Sequence, residues 1–190
     1  MNRTLPTPWK PAKAQLLAAH NKRVPDLIAK NLDVLFVGIN PGLYTAAIGH
    51  HFGRPGNRFW PALYGGGFTP RLFSPFEECL LLDLKFGITN IVERATARAD
   101  ELTNDELRAG AQRLEAKVKR WRPFVVAFVG IGPYRIISGI KDAGVGLQKN
   151  PFGGSYAWVL PNPSGLNAHY QPAALAQLFG DLRRWAIAQP

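Results

Sequence analysis

The chain has 190 residues, 46% of them hydrophobic, which fits one compact domain with a substantial core and calls for no second one. It holds no run of about 18 apolar residues and no basic-then-apolar leader, so the expectation is a soluble intracellular protein without a membrane span or secretory signal. The single cysteine, Cys79, excludes an internal disulfide and falls short of a structural zinc or a cysteine-ligated iron–sulfur cluster, while 23 basic against 13 acidic residues give a net charge of +10. That excess suits a protein that approaches a polyanion, but it specifies no chemistry.

Residues 1–30 read as a basic amino-terminal arm with a short helix around Ala12 to Ala19, ahead of a single folded domain over 31–190. Four apolar runs have the character of core strands: Asp33 to Ile39, Ile88 to Val92, Phe124 to Val129 and Tyr156 to Leu160. The segments between them are long enough for parallel crossovers. The expected fold is therefore α/β, three layers in α/β/α order around a central, mostly parallel sheet of about four or five strands. A helix begins after Thr103, which has capping-box spacing to Glu106, and Leu107, Ala111, Leu114, Val118 and Trp121 recur along one face. Lys117, Lys119, Arg120 and Arg122 crowd its last turn, where they complement the helix dipole, and Pro123 stops it. A carboxyl-terminal helix repeats the pattern through Leu175, Leu178, Phe179, Leu182 and Trp185.

Chemistry concentrates in the loops that follow the strands. Gly38-Ile39-Asn40-Pro41-Gly42 forces a sharp turn after the first strand, where Asn40 either bonds its own backbone or meets a ligand at the sheet's carboxyl edge. Pro161-Asn162-Pro163-Ser164-Gly165-Leu166 is stiffened by two prolines and sets Asn162 and Ser164, both hydrogen-bonding residues, before an apolar Leu166. A leucine there packs onto a neighbouring helix or, in its sharper use, fills the space left in a base stack by a flipped nucleotide.

Four motifs in order, GINPG, GHHFGRPGNRFW (Gly49 to Trp60), GITNIVER (Gly87 to Arg94) and NPSGL (Asn162 to Leu166), resemble the mismatch-specific uracil/thymine-DNA glycosylase family of the uracil-DNA glycosylase superfamily. The resemblance runs from about Pro25 to the last helix. NPSGL is like the bacterial branch, whereas LDVLFVGINPG, GHHF with PGN, and TNIVER look more like the thymine branch. It implies a uracil-DNA glycosylase-like fold in which Asn40 holds the attacking water and Ile39 lines the base pocket. Phe52 would stack on the pyrimidine, with Thr45 and Asn90 beside it. Gly42 falls where strict uracil enzymes carry a tyrosine that excludes a 5-methyl group. Asn162 and Ser164 would lie near the target strand's phosphates, Gly165 would face the widowed guanine, and Leu166 would be the wedge. The arginine that the bacterial branch carries after the wedge is absent, replaced by Asn167-Ala168.

The implied activity is hydrolysis of the N-glycosidic bond of uracil, thymine or another modified pyrimidine in double-stranded DNA, mainly opposite guanine, leaving an abasic site for base-excision repair. The implied protein is a monomer that associates with DNA and not with membranes, and needs no cofactor or metal. An oxocarbenium-like transition state requires an oriented water and donors for the departing base, and an amide supplies orientation but serves poorly as a general base. Asp83 and Glu93 are the acids that could compensate; they also read as a helix-end cap and a salt bridge to Arg94. His50 and His51 lack a third group at metal-ligand spacing and read as loop residues near the pocket. No lysine is placed as a Schiff-base nucleophile. The alternatives are a non-catalytic DNA-damage-binding module and a nucleotide-binding domain using GINPG as an anion turn; the latter lacks both G-x-G-x-x-G and a P-loop.

Overall fold

A computed structural model describes residues 5–165 and 167–188. The apolar runs assemble into a five-stranded sheet of β1 (Val34–Gly38), β2 (Phe86–Asn90), β3 (Val125–Val129), β4 (Gly146–Leu147) and β5 (Tyr156–Leu160), in spatial order β2-β1-β3-β5-β4. The four longer strands are parallel: Val34 lies beside Phe86 and Val125, and Val125 beside Tyr156. The two-residue β4 closes the edge antiparallel to β5.

Side-chain alternation along each strand feeds two cores, which explains runs that are apolar throughout. Val34 and Phe36 face Phe59 and Leu63 of α3 (Phe59–Gly65) and Phe179 and Leu182 of α6 (Pro172–Ile187). Leu35 and Val37 face the opposite layer, with Leu114 and Val118 of α4 (Asn104–Trp121) and Tyr134 of α5 (Ile131–Ser138). Phe36 meets Phe59 edge-on at 5.4 Å and stacks on Phe179 at 5.9 Å. Burying each such ring contributes about 1.5–3 kcal/mol.

The α4 capping box forms as its spacing predicts: Thr103 Oγ1 accepts from the Glu106 N–H at 3.1 Å, and the Thr103 N–H donates to Glu106 Oε2 at 3.0 Å. Several of its basic residues find partners within the chain. Lys119 pairs with Glu115, Arg120 lies over the Trp121 ring, and Lys117 turns inward to Asp26. Strand β2 sits two residues upstream of the predicted run because Phe86 and Gly87 pair with Val34 and Leu35. Ile91 and Val92 leave the strand but still donate to the Gly38 and Ile39 carbonyls, each at 2.9 Å. The amino-terminal segment packs on the body: α1 (Lys13–Leu17) leads to Ala19 and Val24, buried against Ala46 and Ala95, and Leu27 exchanges two backbone hydrogen bonds with Ile88. Among the described residues no helix is long and apolar enough to cross a membrane.

The chain leaves β1 toward β2 and leaves β3 toward β5, so the loops at their carboxyl ends diverge and open a crevice.

Candidate active site

A cavity of about 370 Å³ occupies this crevice, and Ile39, Asn40, Gly42, Thr45, Phe52, Asn90, Asn162 and Ser164 all line it. Gly165 lines a neighbouring recess of about 240 Å³ with Arg54, Gly56 and Asn57. Leu166 lies outside the described residues.

The Asn40 side chain is fixed from behind. Its Nδ2 donates to the Arg94 carbonyl at 3.0 Å and to Thr96 Oγ1 at 2.7 Å. Thr96 Oγ1 spends its own proton on the Arg98 carbonyl at 2.7 Å, so both partners of Asn40 are acceptors. That settles the orientation of the amide, because a flipped Oδ1 would face two acceptors. Both N–H bonds are thereby used, which leaves Oδ1 as the remaining acceptor of a residue that lines the cavity. Arg94 is held in turn by Glu106, its Nε at 2.6 Å from Oε1. The Arg94 guanidinium, with the Thr103 N–H, brings the Glu106 carboxyl down to about 2. The amino terminus of α4 thus braces Asn40 through Arg94.

Space for the other groups comes from missing atoms. A Cβ on Gly38 would stand 2.5 Å from Asn90 Oδ1 and 3.3 Å from Phe52 Cζ, so only glycine lets both side chains close over the end of β1. Phe52 has φ +52°, a conformation that costs a bulky residue about 1–3 kcal/mol. One face of its ring stacks on Phe59 at 3.8 Å. Thr45 is buried, and its Oγ1 accepts from the Gly53 N–H at 3.1 Å, closing the loop that carries Phe52. Gly42 has φ −76°, and a Cβ there would meet nothing within 4 Å.

His50 and His51 share one carboxylate. Glu78 Oε2 accepts from the His51 N–H at 2.8 Å and faces His51 Nδ1 at 2.9 Å; Oε1 faces His50 Nδ1 at 2.9 Å. Facing carboxylate oxygens, each Nδ1 carries the proton. Burial pushes the Glu78 carboxyl up, but the hydrogen bonds and charge of His51, with help from His50, outweigh it and leave the group below its ordinary range. His51 lines the cavity, and its buried Nε2 has no partner among the described residues. No local sequence pattern marks Glu78, or Thr96 behind Asn40.

Neither candidate acid lines the cavity. Asp83 is exposed in the 3₁₀ segment Pro75–Leu84, and Glu93 pairs with Arg23 at 3.1 Å rather than with Arg94. The carboxylate that does line it is Asp100, at the rim and paired with Arg98. Among the described residues no group of three or more His, Cys, Asp or Glu could hold a metal ion. The inner wall can therefore orient a water but has no carboxylate to deprotonate it.

The second loop is hydrogen-bonded within itself. Asn162 Oδ1 accepts from the Ser164 N–H at 2.9 Å, and Asn167 Nδ2 donates to the Asn162 carbonyl at 2.9 Å. A Cβ on Gly165 would stand 2.6 Å from the Gly56 carbonyl oxygen, so this glycine permits close approach between the two loops.

Among solved structures, the chain is similar to a solution NMR structure of a provisionally assigned uracil DNA glycosylase from Methanosarcina acetivorans. The TM-score is 0.55 at 16% identity, over 86% of this chain and 98% of that one. At that identity the likeness speaks for the fold. The sequence model described as the uracil DNA glycosylase superfamily matches residues 25–183, which include the Asn40 turn, the Phe52 loop, Asn90 and the second loop. With the strand-end cavity and a match over most of its length, this chain belongs to the uracil DNA glycosylase superfamily.

Proposed function

We propose that the chain is a monofunctional glycosylase that hydrolyses the N-glycosidic bond of uracil, and of thymine or other modified pyrimidines, in double-stranded DNA, mainly opposite guanine. It acts as a monomer and leaves an abasic site. The observation that carries this reading is the Asn40 amide at the cavity wall, with both N–H bonds held by acceptors and Oδ1 left over as an acceptor. Oδ1 accepts a hydrogen bond from one water and so aims the water's lone pair at C1′ of the flipped nucleotide. The Asn90 amide, buried beside the cavity, meets the polar edge of the base, and the ring face of Phe52 away from Phe59 stacks on it. Asn162 and Ser164 meet the backbone of the target strand, Gly165 faces the orphaned guanine, and Leu166 acts as the wedge. No carboxylate lines the inner wall to take the water's proton early, so bond breaking runs ahead of attack and the rate follows the acidity of the departing base.

The test is single-turnover cleavage of duplexes carrying U, T or ethenocytosine opposite G or A, read as alkali-labile abasic sites. Wild type is expected to act best on uracil opposite guanine. Asn40→Ala should lose on the order of 100-fold or more in rate while keeping affinity for abasic DNA. A wild type that binds damaged duplex yet releases no base would establish the non-catalytic alternative. Near-normal cleavage by Asn40→Ala would remove Asn40 from its role.

A further inference from the structure

Arg58 ends the loop that runs from Gly53 to Asn57 and directly precedes α3, yet its side chain serves a different part of the chain. Nη1 donates to the Tyr170 carbonyl at 2.6 Å, and Nη2 donates to the Ser164 and Asn167 carbonyls at 2.5 and 2.6 Å. Its backbone N–H donates to the Pro163 carbonyl at 2.9 Å. The guanidinium thus has carbonyl partners drawn from one loop, on both sides of position 166. Its Nε is buried and has no partner among the described residues.

A cation half-buried against carbonyls is an uneconomical way to fill space, and apolar packing would serve stability as well. What the planar fork supplies is geometry: its donors hold the carbonyls of residues 164, 167 and 170 at fixed mutual positions. The same loop places Asn162 and Ser164 at the cavity wall, and the neighbouring Asn57 lines that wall from the other side. Gly165 against the Gly56 carbonyl makes a second junction between the two loops.

We infer that Arg58 is a positioning residue for duplex engagement: it sets the second loop in register with the base pocket. This rests on the proposed glycosylase reading. Flipping a nucleotide out of a paired duplex requires unstacking, whereas a single strand has largely met that requirement. The contribution of Arg58 therefore falls on duplex substrates and spares the chemical step.

The experiment compares wild type, Arg58→Ala and Arg58→Lys on one uracil-containing oligonucleotide, single-stranded and paired opposite guanine, under single-turnover conditions. Thermal melts verify folding, and amide hydrogen exchange is followed over residues 162–170. Arg58→Ala is expected to lose about tenfold or more in rate on the duplex beyond any loss on the single strand, with faster exchange in the loop. Arg58→Lys, which keeps the charge but not the fork, should fall between, and it carries the comparison if the alanine variant does not fold. Equal losses on both substrates, or unchanged loop exchange, would overturn the inference. If wild type is inert on every substrate, the glycosylase reading fails first, and loop exchange alone then decides whether Arg58 organises this segment.

Discussion

At the residue scale, the proposed selectivity turns on what would surround the 5-position of a bound pyrimidine. Gly42 lines the cavity with an extended backbone that any residue adopts, and a Cβ there would meet open space. The position is therefore empty by choice of side chain, not because the turn demands glycine. Gly42→Tyr should fold normally and suppress cleavage of 5-bromouracil opposite guanine by at least about tenfold relative to uracil. Proportional loss of both activities in a folded variant, or rejection of the brominated base by wild type, would refute the open-pocket account. Legibility was uneven at this scale. Asn40, Phe52 and Asn162 stand out because turn chemistry and motif order mark them. Thr96 and Glu78 do not, since they lie 56 and 27 residues from the side chains they hold and no local pattern joins them.

Among the elements, the strands were legible because burial on both faces leaves an apolar run that loops rarely imitate. Two-residue β4 carries no such signal, and the start of β2 is masked by Gly87, which must be small because a Cβ would stand 2.5 Å from the Leu27 carbonyl. The 3₁₀ segment Pro75–Leu84 is legible only as a connector, yet through Glu78 it anchors the loop between α2 (Leu43–Ile48) and α3. Glu78→Gln keeps the shape but sets an amide N–H against an imidazole N–H, which should cost about 1–3 kcal/mol. The wild-type carboxyl lies below the usual 4.5 in the fold, so its stabilisation is complete above pH about 4.5 and is lost as pH falls through the lowered value. Melting temperature against pH should therefore drop more steeply on the acid side for wild type than for Glu78→Gln. Parallel curves would show that this carboxylate does not anchor the loop.

For the whole molecule, not all of the 23 basic side chains are free to meet a DNA backbone. Arg94 is spent on Glu106, Lys117 on Asp26 and Arg58 on loop carbonyls, so part of the basic complement holds the fold together. Arg54 differs, standing exposed where it borders both the main cavity and the recess beside Gly165. Affinity should fall linearly on a log–log plot against salt, with a slope of about −0.9 per phosphate neutralised. A footprint of about five phosphates would cost roughly 500-fold between about 50 and 200 mM salt. Asn40→Ala makes the measurement clean because uracil-containing duplex then survives the titration, read by fluorescence anisotropy. Arg54→Ala should make the slope shallower by about 0.9, whereas Arg120→Ala, whose cation rests on Trp121, should leave it unchanged. A flat response in the parent would argue against a DNA substrate, and equal slopes for all three proteins would move the phosphate contacts away from the cavity rim.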